Sequence, residues 1–400
     1  MKRFFALLLC LCALLSLAAC GKKAPPPPPP EVLKPPEEEA IPAPPPPTPE
    51  ELQALQIEAL LDAMSLEEQV GQLFFPRCPQ EHAAEDVAIF HLGGYLLFGR
   101  DFKDDEGNPL AQEPFQHKLL SYQGLADIPL LMGVDEEGGT VARVSRNPNL
   151  RETKFDSPQT LFQRGGMEAI LEEAGEKDAL LQDLGINVNL APVADVSTHP
   201  QDFIFDRSFG QGPQETADFV SALVTKMRED QMGSVLKHFP GYGSNVDTHS
   251  GIARDSRPLE QFFREDFLPF QAGIAAGGPT TAVLVSHNIM EAVDETLPAS
   301  LSPAVHRLLR EELQFGGVIM TDDLIMEAVA AYAQDGAVAV LALEAGNDLL
   351  ITQDYQAQIP LVLKALEEGR LEPEKIRCSC RRVLQWKQAL GLLPPISPEI

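Results

Sequence analysis

The folded part of the chain alternates short apolar runs with longer amphipathic stretches between about residues 52 and 393. Short apolar runs bounded by turn residues are typical of buried strands, and amphipathic stretches are typical of helices that cover a sheet. Eight runs have the character of strands: 70–75, 94–98, 129–134, 186–190, 233–237, 280–286, 317–321 and 348–352. The pattern therefore predicts an α/β fold with eight strands.

Helices are predicted between most of these strands. They cover 167–184, 215–230, 259–276 and 304–313, with closing helices at 363–371 and 374–390. Eight strands that alternate with helices over about 340 residues favour a (β/α)8 TIM-type barrel over a doubly wound sheet. No G-x-G-x-x-G or P-loop motif is present, so no nucleotide cofactor is expected.

Polar side chains follow several of the predicted strands directly. In a barrel of this type the catalytic residues follow the carboxyl ends of the strands, so these side chains would share one pocket. The residues at such strand ends are Asp135, His238, His287, Asn288, Asp322 and Asp323. The same barrel also suits a metal-dependent hydrolase that uses His238, Asp247, His249 and His287, but no H-x-H ends an early strand.

The N-terminus has the features of a secretory signal. Lys2 and Arg3 precede an apolar run, 4–17, that is shorter than the roughly 20 residues needed to span a bilayer. The run ends in Leu-Ala-Ala-Cys, which resembles the bacterial lipobox and predicts lipidation of Cys20. The alternative is an ordinary signal-peptide cleavage site with an incidental cysteine.

A proline-rich segment follows Cys20 and separates it from the predicted barrel. Proline fixes φ and has no N–H, so such a segment favours extended polyproline II and cannot form a core. We therefore predict a signal peptide at 1–19, a lipidated cysteine with a disordered proline-rich tether at 20–51, and a single catalytic domain at 52–393. The protein would be exported and anchored to a bacterial membrane, at the periplasmic side of the outer membrane or at the cell surface.

Composition narrows the range of partners. The 400 residues include 31 lysines and arginines against 59 aspartates and glutamates, for a formal net charge of -28. Binding to nucleic acid depends on clustered basic residues, so nucleic acid is excluded as the main partner. The cysteines outside the signal and lipid site are Cys78, Cys378 and Cys380. Their spacing matches neither a disulfide framework nor a zinc site, so no metal is expected.

The loop after the strand at 233–237 carries the most informative chemistry. Lys237 and His238 lead into an irregular Phe-Pro-Gly-Tyr-Gly loop, and Asp247 and His249 follow at i, i+2. A carboxylate near an imidazole orients it and stabilises the imidazolium, which suits a general acid that later serves as a base.

Five segments, in order, resemble the signatures of glycoside hydrolase family 3. They are 135–139, 190–196, 206–210, 237–243 with 247–249, and 317–324. The resemblance covers roughly residues 65–350. Within the family, the segments most resemble the single-barrel β-N-acetylglucosaminidases, which trim N-acetylglucosamine from peptidoglycan fragments. The sequence departs from the family pattern at two positions: Thr140 stands where an arginine is common, and Tyr242 where a histidine or aspartate is common. These two residues affect the expected loop geometry and the leaving-group preference.

The resemblance implies a role for each matching residue. Asp322 would be the nucleophile, His249 the acid/base and Asp247 its orienting partner, in place of the usual pair of carboxylates. The residues implied to bind the terminal sugar are Asp135, Arg143, Arg207, Lys237 and His238. The implied activity is that of a retaining exo-β-N-acetylglucosaminidase, monomeric and without a cofactor, whose partners are its glycan substrate and, through Cys20, a membrane.

Three alternatives to this activity stay open. One is a β-glucosidase or β-xylosidase of the same family, although such relatives commonly carry a further domain. Another is a glycan-binding lipoprotein without catalytic activity. The last is phosphorolysis in place of hydrolysis, since a histidine acid/base repels phosphate less than a glutamate would.

Some neighbouring residues have a structural interpretation. Asp323 is expected to cap a helix or to be a buried partner, and Asp195 to be structural. Glu136 and Glu137 are expected to form a turn beside two glycines. For His287, lining of the pocket and packing in a loop are equally compatible with the sequence.

Overall fold

The structure is a computed structural model that describes residues 26–27, 47–243, 253–333 and 336–393. The chain divides into two units, Met1–Pro46 and Pro47–Ile400, and all helices and strands given below belong to the second. Three predicted functional residues, Cys20, Asp247 and His249, lie outside the described residues. Within the described part, no helix is both long enough and apolar enough to cross a membrane.

Six strands form a parallel sheet in the order β1-β2-β3-β4-β6-β8, and β5 pairs in parallel with β7. The strands are β1 (Gly94–Leu97), β2 (Leu131–Val134), β3 (Val188–Asn189), β4 (Gly233–Phe239), β5 (Arg254–Asp255), β6 (Thr281–Val285), β7 (Ile289–Met290) and β8 (Ile319–Thr321). The six strands of the large sheet are buried along their whole length. Their apolar sequences follow from this, because a parallel sheet covered by helices has no face in water.

Two extended segments, one before β1 and one after β8, join the edges of the sheet. The bridges are Phe74 with Leu350, Arg77 with Leu96, and Met320 with Leu349. The amide of Phe75 donates to the carbonyl of Leu350 at 2.8 Å, which ties the first segment to the last. The sheet thus closes into the predicted (β/α)8-type barrel, and its carboxyl edge gathers the loops that follow the strands.

The helices are α1 (Pro49–Ala63), α2 (Leu66–Gln72), α3 (Ala83–Phe90), α4 (Gln112–Gln123), α5 (Pro158–Asp183), α6 (Pro213–Glu229), α7 (Leu259–Arg264), α8 (Phe267–Gly277), α9 (Pro303–Arg307), α10 (Glu327–Ala330), α11 (Val338–Ala345), α12 (Tyr355–Glu367) and α13 (Pro373–Ala389). The helices predicted at 215–230 and 374–390 are confirmed to within two residues at each end, and that at 167–184 matches the part of α5 that follows the non-helical Gly165 and Gly166 and ends at Asp183. The helix predicted at 259–276 is two helices, because Glu265 leaves the helical conformation at φ -125° and ψ -80°.

The strand predicted at 70–75 is wrong over its first half, where α2 continues to Gln72. A capping box begins this helix: the Ser65 hydroxyl accepts from the amide of Glu68, and the Glu68 carboxylate accepts from the amide of Ser65 at 2.6 Å. The box satisfies amides that a short helix would otherwise leave unpaired. Extended backbone starts only after this helix, where Phe74 makes the first bridge.

One acidic side chain on α5 is buried beneath the sheet. Asp178 is 1% exposed, and one of its carboxylate oxygens has no hydrogen-bond partner among the described residues. Burial raises the pKa of Asp178 to about 7, and the neighbouring Asp230 carboxylate acts in the same direction. The native state therefore keeps a proton that the unfolded chain releases near pH 4, so this residue lowers the free energy of unfolding as pH rises from about 4 to about 7.

Replacing Asp178 with asparagine should remove this penalty. We expect Asp178→Asn to raise the free energy of unfolding more at pH 8 than at pH 5, by on the order of 2 kcal/mol. Urea unfolding at the two pH values measures the difference. Glu172→Gln, on the exposed side of the same helix, is the matched control. An equal effect of Asp178→Asn at both pH values would contradict the assignment.

Candidate active site

A buried ammonium group lies at the carboxyl edge of the barrel. Lys237, near the end of β4, has a side chain that is only 2% exposed. Its Nζ lies 2.6 Å from Oδ1 of Asp135 and 2.6 Å from Oε1 of Glu137. A buried charge is tolerated only when it is paired and hydrogen-bonded, and these two carboxylates from the loop after β2 provide the pairing.

Glu137 connects this lysine to Arg207. The guanidinium donates through Nε at 3.1 Å to one oxygen of Glu137 and through Nη2 at 2.8 Å to the other. Burial by itself would raise the pKa of Glu137, but the charges of Arg207 and Lys237 outweigh it and hold that pKa well below its usual value. Glu137 is therefore the negatively charged partner of both cations near neutral pH.

His238 is fixed by Asp195 on one side and by Arg207 on the other. Its Nδ1 lies 2.8 Å from Oδ2 of Asp195, and the Asp195 carboxylate also accepts the main-chain amide of His238 at 3.1 Å. Nη2 of Arg207 lies 3.2 Å from Nε2 of His238. Since an ionised carboxylate only accepts and a guanidinium only donates, this geometry assigns the proton to Nδ1 and the lone pair to Nε2.

Glu136 holds the loop that carries Arg143. Its carboxylate accepts the main-chain amides of Arg143 and Val144, both at 2.7 Å, and the hydroxyl of Ser145. Glu136 is completely buried, so its role is structural, as its position beside a glycine pair predicts. The Arg143 guanidinium carbon lies 5.5 Å from the centre of the Phe98 ring, at the end of β1.

The two aspartates after β8 have different surroundings. The amide of Asp322 donates to the carbonyl of Val285 at 3.0 Å, and its Oδ1 accepts the amide of Asp323 at 2.8 Å. Asp322 is partly exposed, whereas Asp323 is 3% exposed and its Oδ2 lies 2.5 Å from Nε of Arg77. Asp323 is thus a buried partner, one of its two predicted roles, and Asp322 is the member of the pair that is open to a ligand.

The loop after β4 packs closely on an acidic residue. Gly241 has φ 118°, and a Cβ on it would lie 2.4 Å from Oδ1 of Asp266. Arg257 pairs with Asp266 at 2.7 Å and thereby fixes the surface on which the loop rests. A side chain at position 241 is excluded both by this contact and by the left-handed backbone.

The predicted site residues fall into two connected groups. Asp135, Lys237, Arg207 and His238 form one network, as the distances above show. The other group links Asp322 to Arg143 through Asp323, Arg77 and Phe98, with the Arg77 guanidinium carbon 4.4 Å from the Phe98 ring centre. The predicted dyad of Asp247 and His249 lies outside the described residues and stays a prediction. His287 is completely buried, and its ring contacts the loop that carries Asp322 and Asp323.

Three residues of the site were not predicted to act there. Glu137 was assigned to a turn because of Gly138 and Gly139, but its carboxylate bridges two cations. Asp195 was expected to be structural, and it proves to orient His238. Arg77 gave no signal, because it lies after the predicted strand at 70–75 and outside the five segments that resemble the family. The signal that could have identified Glu137 was the position of Lys237 at the end of an apolar strand, because a buried ammonium group needs carboxylate partners.

Comparison with known proteins agrees with this architecture. A family model described as the glycosyl hydrolase family 3 N-terminal domain matches residues 65–386. A beta-hexosaminidase of Idiomarina loihiensis is 32% identical over 332 residues, which cover 81% of this chain and 95% of that protein. A beta-hexosaminidase of Glaesserella parasuis is 33% identical over 303 residues, 74% of this chain and 85% of that protein.

A solved structure gives the same result for the fold. The glycoside hydrolase family 3 beta-N-acetylglucosaminidase from a Paenibacillus species superposes with a TM-score of 0.75 at 29% identity. The match covers 84% of this chain and 65% of that one.

The barrel, its polar carboxyl edge and these relatives define an enzyme that is a glycoside hydrolase. More particularly, the chain belongs to glycosyl hydrolase family 3.

Removal of the Glu137 charge tests the cation network. Glu137→Gln keeps the shape of the side chain but leaves Lys237 and Arg207 with one negative charge fewer. Removing one partner of a buried ion pair typically costs about 3–5 kcal/mol of stability. We therefore expect a lower thermal midpoint and a higher KM for the glycoside substrate. Glu152→Gln, at an exposed position of the loop after β2, is the control. Wild-type stability and KM in Glu137→Gln would refute the network.

Proposed function

We propose that this enzyme is a retaining exo-β-N-acetylglucosaminidase that removes terminal β-linked N-acetylglucosamine from peptidoglycan-derived or related glycans. The observation that carries the proposal is the contrast at the end of β8, where Asp322 is partly exposed and Asp323 is buried against Arg77. The hexosaminidase names of relatives about 30% identical support the sugar.

In the proposed reaction Asp322 attacks the anomeric carbon. A bond forms between its carboxylate oxygen and that carbon while the bond to the leaving oxygen breaks, which gives a covalent glycosyl-enzyme. His249 donates a proton to the leaving oxygen and then takes one from the water that releases the sugar, with Asp247 orienting its ring. Two inversions at one carbon give net retention of configuration.

The network around Lys237 is proposed to bind the terminal sugar. Lys237 and Arg207 offer donors, and Asp135 offers an acceptor, in an arrangement fixed by the buried Glu137. His238 carries its proton on the nitrogen that faces Asp195, which leaves the opposite edge of the ring toward Arg207. Arg143 completes the set. Hydrogen bonds to sugar hydroxyls that tighten in the transition state supply several kcal/mol in such enzymes.

The proposal extends to the location of the enzyme. A lipid on Cys20 would hold the enzyme on a bacterial membrane, at the periplasmic side of the outer membrane or at the cell surface, where fragments of peptidoglycan are available.

Covalent labelling tests the nucleophile directly. A 5-fluoro derivative of N-acetylglucosaminyl fluoride should form an adduct that accumulates on Asp322, because fluorine slows release more than formation. Peptide mass spectrometry locates the label. Asp322→Ala should remove labelling, and a label on Asp323 or another carboxylate would overturn the assignment.

The preferred sugar, and the choice between water and phosphate as the group that releases it, are tested with the wild-type enzyme. Aryl β-N-acetylglucosaminide should be cleaved far faster than aryl β-glucoside or β-xyloside, and the product should be free N-acetylglucosamine with or without phosphate. Preference for glucoside would favour the other branch of the family. A sugar 1-phosphate would identify phosphorolysis.

A further inference from the structure

We propose that His287 is a positioning residue that sets the orientation of Asp322 by holding the main chain of Asp323. The inference rests on the proposed role of Asp322 as the nucleophile. His287 follows β6, the strand beside β8, and its side chain is completely buried behind the loop that carries both aspartates.

The hydrogen bonds of the ring define what it does. Nε2 of His287 lies 3.0 Å from the carbonyl oxygen of Asp323, and Nδ1 lies 2.7 Å from Oγ of Ser300. A carbonyl oxygen only accepts, so Nε2 carries the proton. The Ser300 hydroxyl can then donate to Nδ1, which selects this tautomer of the neutral ring.

Ser300 is itself held in place by the main chain. Its amide donates to the carbonyl of Ser286 at 3.0 Å, and its carbonyl accepts from Nδ2 of Asn347 at 2.7 Å. The hydroxyl is therefore presented to His287 from a fixed backbone, and the imidazole transmits that position to Asp323. Reacting groups must be held within a fraction of an ångström of the productive geometry, and such supporting contacts provide that precision.

The aspartate loop is held by main-chain and side-chain bonds. The amide of Asp322 donates to the carbonyl of Val285 on β6, and Arg77 pairs with the carboxylate of Asp323. The carbonyl of Asp323 accepts from His287 and, at 3.0 Å, from the amide of Met326, while the amide of Leu324 donates to the carbonyl of Ile351. His287 thus adds a side-chain bond at this carbonyl, and a shift of Asp323 after its loss would reach the Asp322 carboxylate, whose Oδ1 accepts the Asp323 amide.

Two substitutions separate the hydrogen bond from the packing of the ring. His287→Phe keeps a ring but has no donor, whereas His287→Gln retains an N–H group near the position of Nε2. We expect His287→Phe to lower kcat and the rate of covalent labelling at Asp322 by about tenfold, the effect of one lost positioning hydrogen bond, with KM within about twofold. His287→Gln should recover most of both rates, and Ser300→Ala should have an intermediate effect.

His306→Phe is the matched control. This buried histidine, on α9, is 3% exposed, and its Nδ1 donates to the carbonyl of Ser302 at 2.9 Å and not to the aspartate loop. It should lower the thermal midpoint without changing kcat or the labelling rate.

The proposal is overturned if His287→Phe resembles His306→Phe, with reduced stability but unchanged rates, or if His287→Gln recovers nothing. Should His287→Phe fail to fold, the labelling rates of His287→Gln and Ser300→Ala against wild type decide: wild-type rates in both overturn it. The site of labelling in the wild type reports separately on the proposed function, so failure of that function is distinguishable from failure of this inference.

Discussion

The buried ammonium of Lys237 is the constraint on which the site depends. Removing an ion from water costs several kcal/mol even after relaxation, so the fold must supply counter-charges wherever such a group is buried. Asp135 and Glu137 supply them at 2.6 Å each, and Glu137 in turn requires Arg207. Arg207 then faces the lone pair of His238, whose other nitrogen is held by Asp195. Each group thus has its position set by its neighbour.

These linked contacts give a polar surface whose groups already hold one another in position. The participants come from the loop after β2, the segment around Arg207 and the end of β4, so the network also ties separate parts of the barrel together. If this network binds the terminal sugar, as we propose, its donors and acceptors are already in place and little reorganisation remains for the transition state. The opposite edge of the site is organised differently, because Arg77 from the segment before β1 reaches Asp323 after β8. The loop that carries Asp322, the proposed nucleophile, is therefore supported where the barrel closes.

The sequence predicted the barrel because its strands are apolar throughout and end in polar residues. It failed over 70–72, where the helix that begins at the capping box of Ser65 and Glu68 continues to Gln72. It also underestimated Glu137 and Asp195. A local pattern assigns such residues to turns, but the need for them arises from Lys237 and His238, which are distant in sequence and adjacent only after folding. The family resemblance was carried by motifs in a fixed order along the chain, and relatives 32% and 33% identical agree with it.

The central claim is that Asp322 forms a covalent glycosyl-enzyme, and the stereochemistry of the first product tests it most directly. Proton NMR of the anomeric signal, recorded in the first minutes of hydrolysis of an aryl β-N-acetylglucosaminide, distinguishes the two anomers before mutarotation mixes them. The account predicts that the β-anomer appears first and the α-anomer only later. Initial release of the α-anomer would mean a single inversion by water and would contradict the role given to Asp322.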